Sequence, residues 1–128
     1  MHEEYPQIIK EVGFDFSWDE KKVWLLNEPV SEMAISELEW HFDIPFLWEK
    51  GKYDLKPIEV INHPEAHTVE YERTLTADIK YPIDIMENKG RWLILDGLHR
   101  LMKAKINGIE KVHVRKIPRV RIPEILSD

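Results

Sequence analysis

Two apolar segments in the second half of the chain predict a β-hairpin. Ile83 and Ile85 alternate with polar neighbours, as the residues of a half-buried strand do. Residues 92–95 form a continuous apolar run, Trp-Leu-Ile-Leu, which is typical of a strand covered on both faces. The polar sequence Glu-Asn-Lys-Gly at 87–90 supplies a turn between them. We therefore predict a hairpin over residues 82–95.

The hairpin is followed by a predicted helix and a final strand. The helix starts after Gly97 and ends near Gly108, which can adopt the left-handed conformation of a C-cap. Its packing face consists of apolar residues at helical spacing, namely Leu98, Leu101, Met102 and Ala104. Alternating apolar positions over 112–117 predict the last strand, which ends at the break introduced by Pro118.

The N-terminal segment predicts a short helix and an accessory hairpin. Residues 7–12 carry apolar side chains at helical spacing, and Gly13 closes this helix. Aromatic residues alternate with polar ones over 14–18, and residues 23–26 form a second short apolar run. Because a charged turn separates the two runs, residues 14–26 are predicted to form a β-hairpin ahead of the main domain.

The segment before Pro45 admits two interpretations. Residues 30–35 are predicted to be extended, and Ser36 to Glu39 matches the capping box that starts a helix. Apolar residues also alternate with polar ones from residue 37 to residue 44, which equally predicts a strand with one solvated face. In either case, Glu39 and Asp43 lie on the same face.

These elements together predict one small α+β domain with a mixed sheet and helices. Two more helices are expected, over residues 55–62 and from Pro64 to Leu75. The predicted organisation is an N-terminal extension with the hairpin, a main domain and a short tail, covering residues 1–29, 30–118 and 119–128.

Composition excludes several classes of protein. With 128 residues, 24 of them acidic and 18 basic, the net charge of −6 disfavours a nucleic-acid-binding surface. The absence of cysteine excludes disulfides, thiolate metal sites and cysteine nucleophiles. No stretch approaches the roughly 18 apolar residues of a membrane span, so we expect a cytoplasmic protein with no membrane partner. Four basic residues cluster near the end of the chain and are compatible with a local basic patch, but they suit a charged edge strand at least as well: Arg115, Lys116, Arg119 and Arg121.

The junction between the second hairpin strand and the following helix is the main candidate site. The first N–H groups of a helix have no partner within the helix, and its macrodipole is positive at that end, so a phosphate can bind there. Gly97 allows close approach of the backbone, and Arg100 can bind phosphate oxygens in bidentate fashion. In the alternative interpretation Asp96 is an N-cap, Gly97 serves only the turn, and His99 and Arg100 are solvated.

Residues 82–118 resemble the core of the ParB/sulfiredoxin superfamily, and the likeness extends less closely back to residue 30. The motif Asp96-Gly97-Leu98-His99-Arg100 is similar to Asp-Gly-His-His-Arg of the free serine kinases in that superfamily. Leu98 stands where sulfiredoxins have cysteine, which excludes their chemistry on sulfinic acids. The residues after Pro118 are too few for the helix-turn-helix domain of partition proteins.

The resemblance implies a nucleotide, such as ATP, ADP or CTP, bound with its phosphates on these five motif residues. It also implies Mg²⁺, for which Asp96 is the candidate ligand. The activity implied is that of a small-molecule kinase or nucleoside triphosphatase, with a small hydroxyl-bearing substrate in the kinase case. The base in the serine kinases is a glutamate just after the first strand, a position near Glu39 and Asp43. The alternative interpretation of both residues, as solvated charges on an amphipathic segment, is the favoured one.

Two other functions compete with this hypothesis. A non-catalytic module, acting as a nucleotide sensor or adaptor, would use the hairpin at 14–26 and the aromatic patch at 46–48. Nucleic-acid binding or nuclease activity ranks last because of the acidic charge balance. A zinc site at His63, His67 and Glu70 is a weaker candidate, because a proline follows His63 at a helix start. The sequence is also compatible with a homodimer.

Overall fold

The computed structural model describes residues 5–128 and has the predicted α+β architecture. Its α-helices in that range are α1 (Gln7–Val12), α2 (Glu20–Trp24), α3 (Pro57–Asn62), α4 (Thr68–Thr76), α5 (Leu98–Ile106) and α6 (Ile122–Ile125). Its strands are β1 (Val30–Ala34), β2 (Ile83–Asn88), β3 (Arg91–Asp96) and β4 (Lys111–Lys116). Short 3₁₀ helices occur at Ile35–Glu37, Glu39–Asp43, Pro64–Ala66 and Arg119–Arg121.

The strands form one mixed sheet in the order β1-β4-β2-β3. β2 and β3 form the predicted antiparallel hairpin, and α5 carries the chain back so that β4 pairs parallel to β2. β1 pairs antiparallel with the other side of β4. β4 is therefore an internal strand, and its interpretation as an edge strand was wrong.

One face of the sheet packs against α3 and α5 and holds the larger core. The sheet contributes apolar side chains from alternate positions along its strands to this core. The helix α5 contributes the apolar side chains that repeat at helical spacing. This core includes Ile83, Ile85, Val112, Val114, Leu101, Met102 and Ala104. The match between the period of each segment and its buried face confirms the predicted hairpin, helix and last strand.

The predicted accessory hairpin at residues 14–26 is wrong. Residues 20–24 form the helix α2, and Trp18 makes only an isolated bridge to Leu126. Asp19 caps this helix, because its side chain accepts a hydrogen bond from the backbone N–H of Lys21. Val23 is buried whereas Trp24 and Leu25 are exposed, a distribution that a helix with one packed face produces.

Both ends of the described chain cover the second face of the sheet. Val23 and Ile125 form a smaller core with residues of the sheet and of the segment after it, namely Met86, Leu95 and Ile117. Three aromatic side chains whose alternation with polar residues predicts a strand instead pack against this core from an irregular segment: Phe14, Phe16 and Trp18. Residues 14–26 and 122–125 thus pack together on this face of the sheet.

The segment after β1 forms 3₁₀ turns, so neither the regular helix nor the strand predicted there is present. The N–H of Leu38 donates to Ile35, and that of His41 donates to Leu38, which is the i→i+3 pattern of a 3₁₀ helix. This winding buries both Leu38 and His41. The helix predicted from Pro64 is also divided, since a 3₁₀ turn ends at Ala66 and α4 begins at Thr68.

His41 fixes this 3₁₀ segment to the outer edge of β3. Its Nδ1 lies 2.8 Å from the carbonyl oxygen of Leu38, and its Nε2 accepts the N–H of Ile94 at 3.1 Å. Burial lowers the pKa of His41 from 6.5 to about 4; the Leu38 contact opposes this and the charge of Arg91 adds to it. His41 is therefore a neutral, structural histidine at neutral pH.

No helix within residues 5–128 combines the length and the apolar character that crossing a membrane requires.

Candidate functional site

An irregularity in the β2–β3 hairpin places the candidate site. Ile85 pairs with Ile94, but Asp84 pairs with Asp96, so β3 has one extra residue at Leu95. Such a bulge bends a strand and redirects the side chains that follow it. The carbonyl oxygen of Leu95 accepts a hydrogen bond from the indole of Trp18 at 3.0 Å.

Gly97 makes the turn from β3 into α5. Its φ of +117° is rarely adopted by residues with a side chain. A Cβ at this position would lie 3.2 Å from Ile83 and 3.1 Å from the guanidinium of Arg100. Gly97 is therefore required by the turn and by packing within the protein. Because Gly97 is itself the N-cap, the first N–H groups of α5 have no capping side chain.

Asp96 does not cap α5, contrary to the alternative interpretation of the sequence. Its carboxylate instead accepts a hydrogen bond from the indole of Trp24 at 2.6 Å and lies 3.5 Å from the guanidinium of Arg100. The cap prediction fails because Gly97 occupies the N-cap position, so Asp96 is the last residue of β3. Its carboxylate lies between α2 and α5, where it is mostly buried.

Arg100 is held from two sides. Its Nη1 donates to the carbonyl oxygen of Pro82 at 2.9 Å, and its Nη2 faces Asp96. The ring of Tyr81 lies 6.0 Å from the guanidinium carbon. Arg100 is thus ordered within the protein, and one-fifth of its side chain remains exposed.

His99 is paired with a buried carboxylate. Its Nε2 lies 3.0 Å from Oε2 of Glu70, a residue of α4 that is only 4% exposed. Glu70 also lies 3.6 Å from Arg73, whose side chain is largely exposed. The solvated interpretation of His99 and Arg100 is therefore wrong, because both have protein partners.

A large open cavity lies over this junction. Its volume is about 1240 Å³, and all five residues of the motif line it. The other walls are unusually aromatic and come from segments far apart in the sequence: Phe14, Phe16, Trp18, Phe46, Trp48, Tyr53 and Tyr81. Cavities of this type, with apolar walls and a few convergent polar groups, are typical of small-molecule sites.

Glu20 is a site residue that sequence reasoning missed. It begins α2, lines the cavity and has its carboxylate close to that of Asp96. Burial raises its pKa, and the neighbouring Asp96 raises it further, while Arg100 opposes the change. The signal that could have found it is Asp19-Glu20, because an N-cap followed by an acidic first turn predicts a helix.

Asp84 of β2 lies directly opposite Asp96 of β3 in the hairpin. It is buried and accepts a hydrogen bond from Nε of Arg115 at 2.7 Å. Burial raises the pKa of Asp84, with Arg115 opposing this and Asp96 adding to it. Arg115 also donates to the carbonyl oxygens of Leu26 and Val23 at 2.6 and 3.0 Å, so it links β4 to the C-terminal end of α2.

Glu39 and Asp43, the predicted catalytic carboxylates, do not line the cavity. Glu39 forms an ion pair with Lys105, which lies in the last turn of α5 rather than the first. The sequence placed both residues on one face of their segment. It could not show that Glu39 would meet the last turn of α5.

The zinc candidate is not assembled either. The three side chains have different partners. His63 lies near Glu65, and His67 forms a hydrogen bond with Glu49. Glu70 is paired with His99. Over residues 5–128, no three histidine or acidic side chains are grouped as metal ligands.

The C-terminal basic residues are mostly used within the protein. Arg119 donates to the carbonyl oxygen of Glu87, and Arg121 pairs with Glu28 and Glu124. Arg115 and Arg121 are thus paired with carboxylates, whereas Arg119 keeps its charge beside a backbone carbonyl.

Comparison of the chain with protein-family models, curated proteins and solved structures found no match.

Proposed function

We propose that the chain binds a magnesium nucleotide in the cavity above α5 and acts as a phosphotransferase or nucleoside triphosphatase of the ParB/sulfiredoxin type. The observation that carries the proposal is the composition of the cavity. Its base is the start of α5 with Asp96 to Arg100, and its walls are aromatic. A nucleotide has the matching parts, a polyanion at one end and a flat ring at the other.

Free backbone N–H donors at the start of α5 support the binding of the nucleotide's phosphates there. No side chain caps this helix, so its first N–H groups remain for an anion. Arg100 uses Nη1 for Pro82 and Nη2 for a long contact to Asp96. Because a guanidinium has five N–H donors, it retains some for phosphate oxygens.

The residues beside these donors fit a magnesium ion. Mg²⁺ is commonly bound through one or two carboxylates together with substrate phosphates and water. Glu20 and Asp96 are two adjacent carboxylates, and the pKa of Glu20 is raised first by burial and then by the charge of Asp96. When bound, the ion would neutralise charge on the phosphates.

The ring end is supported by the aromatic walls. Trp48 is half exposed, and its ring meets that of Tyr53 edge to face at a centroid distance of 5.4 Å. Tyr81 lies on the Arg100 side of the cavity. Rings of this kind stack on flat apolar ligands at low conformational cost. The kinase branch of the proposal adds a small hydroxyl-bearing acceptor, for which the cavity volume leaves space.

The test is thermal unfolding with ATP, ADP, CTP and GTP, each with and without Mg²⁺. A ligand at about 100 times its Kd should stabilise the folded protein by roughly 2.7 kcal/mol. We expect at least one nucleotide to raise Tm in the presence of magnesium. If none does at millimolar concentration, the proposal is wrong.

Arg100→Ala should abolish the nucleotide-dependent rise in Tm. Arg119→Ala is the matched control, because Arg119 also donates through Nη1 to a backbone carbonyl but lies outside the cavity. Both variants should lose some unliganded stability, and only Arg119→Ala should keep the nucleotide effect.

A second candidate function is a nucleotide sensor without turnover. It is favoured by the internal pairing of His99 and Arg100, which leaves both well ordered before any ligand arrives. Binding of a nucleotide with no release of phosphate over hours would select this function.

A further inference from the structure

We propose that Glu70 positions His99 to act as the general base in this cavity. The inference rests on the proposed function, because it names the group that accepts the proton during phosphoryl transfer. It gives this role to a residue that lines the cavity, which Glu39 and Asp43 do not.

The first support is the contrast in burial between the two partners. The Glu70 side chain is 5% exposed, whereas that of His99 is 32% exposed and lines the cavity. Glu70 itself does not line the large cavity. A buried carboxylate behind a partly exposed imidazole is the arrangement that orients a histidine toward a substrate.

The second support is the hydrogen-bonding chemistry of the pair. An ionised carboxylate can only accept hydrogen bonds, so Nε2 of His99 must carry the proton that faces Glu70. Neutral imidazole then has its lone pair on Nδ1. Within residues 5–128, Nδ1 has no hydrogen-bonding partner, so it remains for a ligand.

The third support is the position of His99 in the helix. It is the second residue of α5, so its ring lies in the same turn as the free N–H groups proposed to hold phosphate. Arg73, which is mostly exposed, lies near the other carboxylate oxygen of Glu70, Oε1, and provides a positive neighbour for the buried carboxylate. The pair is thus held from the protein side and open on the cavity side.

Nδ1 of His99 accepts the proton of the acceptor hydroxyl or water while that oxygen attacks the terminal phosphorus. The bond from phosphorus to the bridging oxygen breaks, and a nucleoside diphosphate leaves with the electron pair. The proton stays on His99 and the imidazolium is stabilised by Glu70.

Ring ¹⁵N NMR of the histidines tests the positioning directly, without any nucleotide. At pH 7.5, we expect His99 in the wild-type protein as the Nε2–H tautomer, and in Glu70→Ala as a mixture of tautomers. Glu72→Ala is the matched control, since Glu72 lies on the same helix and is exposed. A wild-type His99 in the Nδ1–H form, or one that is unchanged in Glu70→Ala, would overturn the proposal.

Kinetics test the chemical role. Phosphate release from MgATP, MgGTP and MgCTP, with water as the acceptor, should fall about 100-fold in His99→Gln and at least about tenfold in Glu70→Ala, with nucleotide Kd little changed. Glu72→Ala should match the wild type. Equal losses in kcat and in binding affinity, or undiminished kcat, would contradict a general base.

Nucleotide binding and phosphate release, measured together, distinguish failure of the proposed function from failure of the general-base role alone. If no nucleotide binds the wild-type protein, the proposed function is wrong, and the general-base role is overturned with it whatever the tautomer. If a nucleotide binds but wild-type phosphate release is absent, binding survives and only the general-base role is overturned.

Discussion

His41 gives the fold a defined sensitivity to acid. In the folded protein its Nε2 accepts the N–H of Ile94, and protonation would remove that acceptor. The pKa is lowered from 6.5 to about 4, first by burial, so the folded state binds the proton more weakly than the unfolded state does. The stabilising contribution is therefore complete above about pH 6.5 and is lost as pH falls toward 4.

The expected magnitude follows from the two pKa values. Each tenfold difference in proton affinity is worth about 1.4 kcal/mol, so the full loss is about 3 kcal/mol. By pH 5, about 2 kcal/mol should already be lost. For a domain of this size, that is a large part of the usual 5–15 kcal/mol of stability.

Urea unfolding between pH 7.5 and 4.5 measures this effect in wild type and in His41→Gln. Glutamine can accept from Ile94 and donate to Leu38 but does not titrate. The difference in unfolding free energy between the two proteins should shrink by about 2 kcal/mol from pH 7.5 to pH 5. His113→Gln, at an exposed site on β4, should run parallel to wild type.

Parallel pH profiles for wild type and His41→Gln would refute this reasoning. They would mean either that keeping His41 neutral costs the folded protein no stability at low pH, or that the folded protein protonates His41 without losing its structure. Titration of the carboxylates changes both proteins alike, so it cancels in the comparison.

Three further predictions concern the site and its support. Gly97→Ala should destabilise the protein by about 1–3 kcal/mol in urea unfolding, because its φ is positive and a Cβ would press on Ile83; an unchanged midpoint would contradict the turn geometry. Arg115→Ala should cost about 3–5 kcal/mol in the same measurement, because it leaves Asp84 buried without its partner, and Arg115→Ala with Asp84→Asn should recover part of that loss. Glu39→Gln and Asp43→Asn should leave nucleotide binding and phosphate release within about twofold of wild type, since such remote surface changes are nearly neutral; a selective loss of turnover would return catalysis to the 3₁₀ segment.

The fold was predictable where a segment had one clear period. The hairpin, α5 and β4 were all predicted because Ile83, Ile85, Leu101 and Met102 repeat at the spacing of the element that buries them. Prediction failed over residues 14–26, where aromatic alternation imitates a strand. There the rings pack beside α6, which is distant in sequence and cannot be inferred from local pattern.

The site was predictable only in its contiguous part. Asp96 to Arg100 line one cavity because they are consecutive residues at the start of a single helix. The partners of these residues, Glu20, Trp24 and Glu70, come from α2 and α4, and no spacing rule connects those helices to α5. Glu39 was selected by its position in the chain, and its ion pair with Lys105 depends on tertiary packing.

The indole rings around the cavity provide a built-in optical probe. Trp18 and Trp48 line the cavity, and the indole of Trp24 donates a hydrogen bond to Asp96. Three of the chain's five tryptophans therefore lie at or beside the site. Their emission depends on local polarity and on quenching by neighbouring groups. Occupancy of the cavity can therefore be titrated by fluorescence, with no dye, label or coupled reagent attached to the protein.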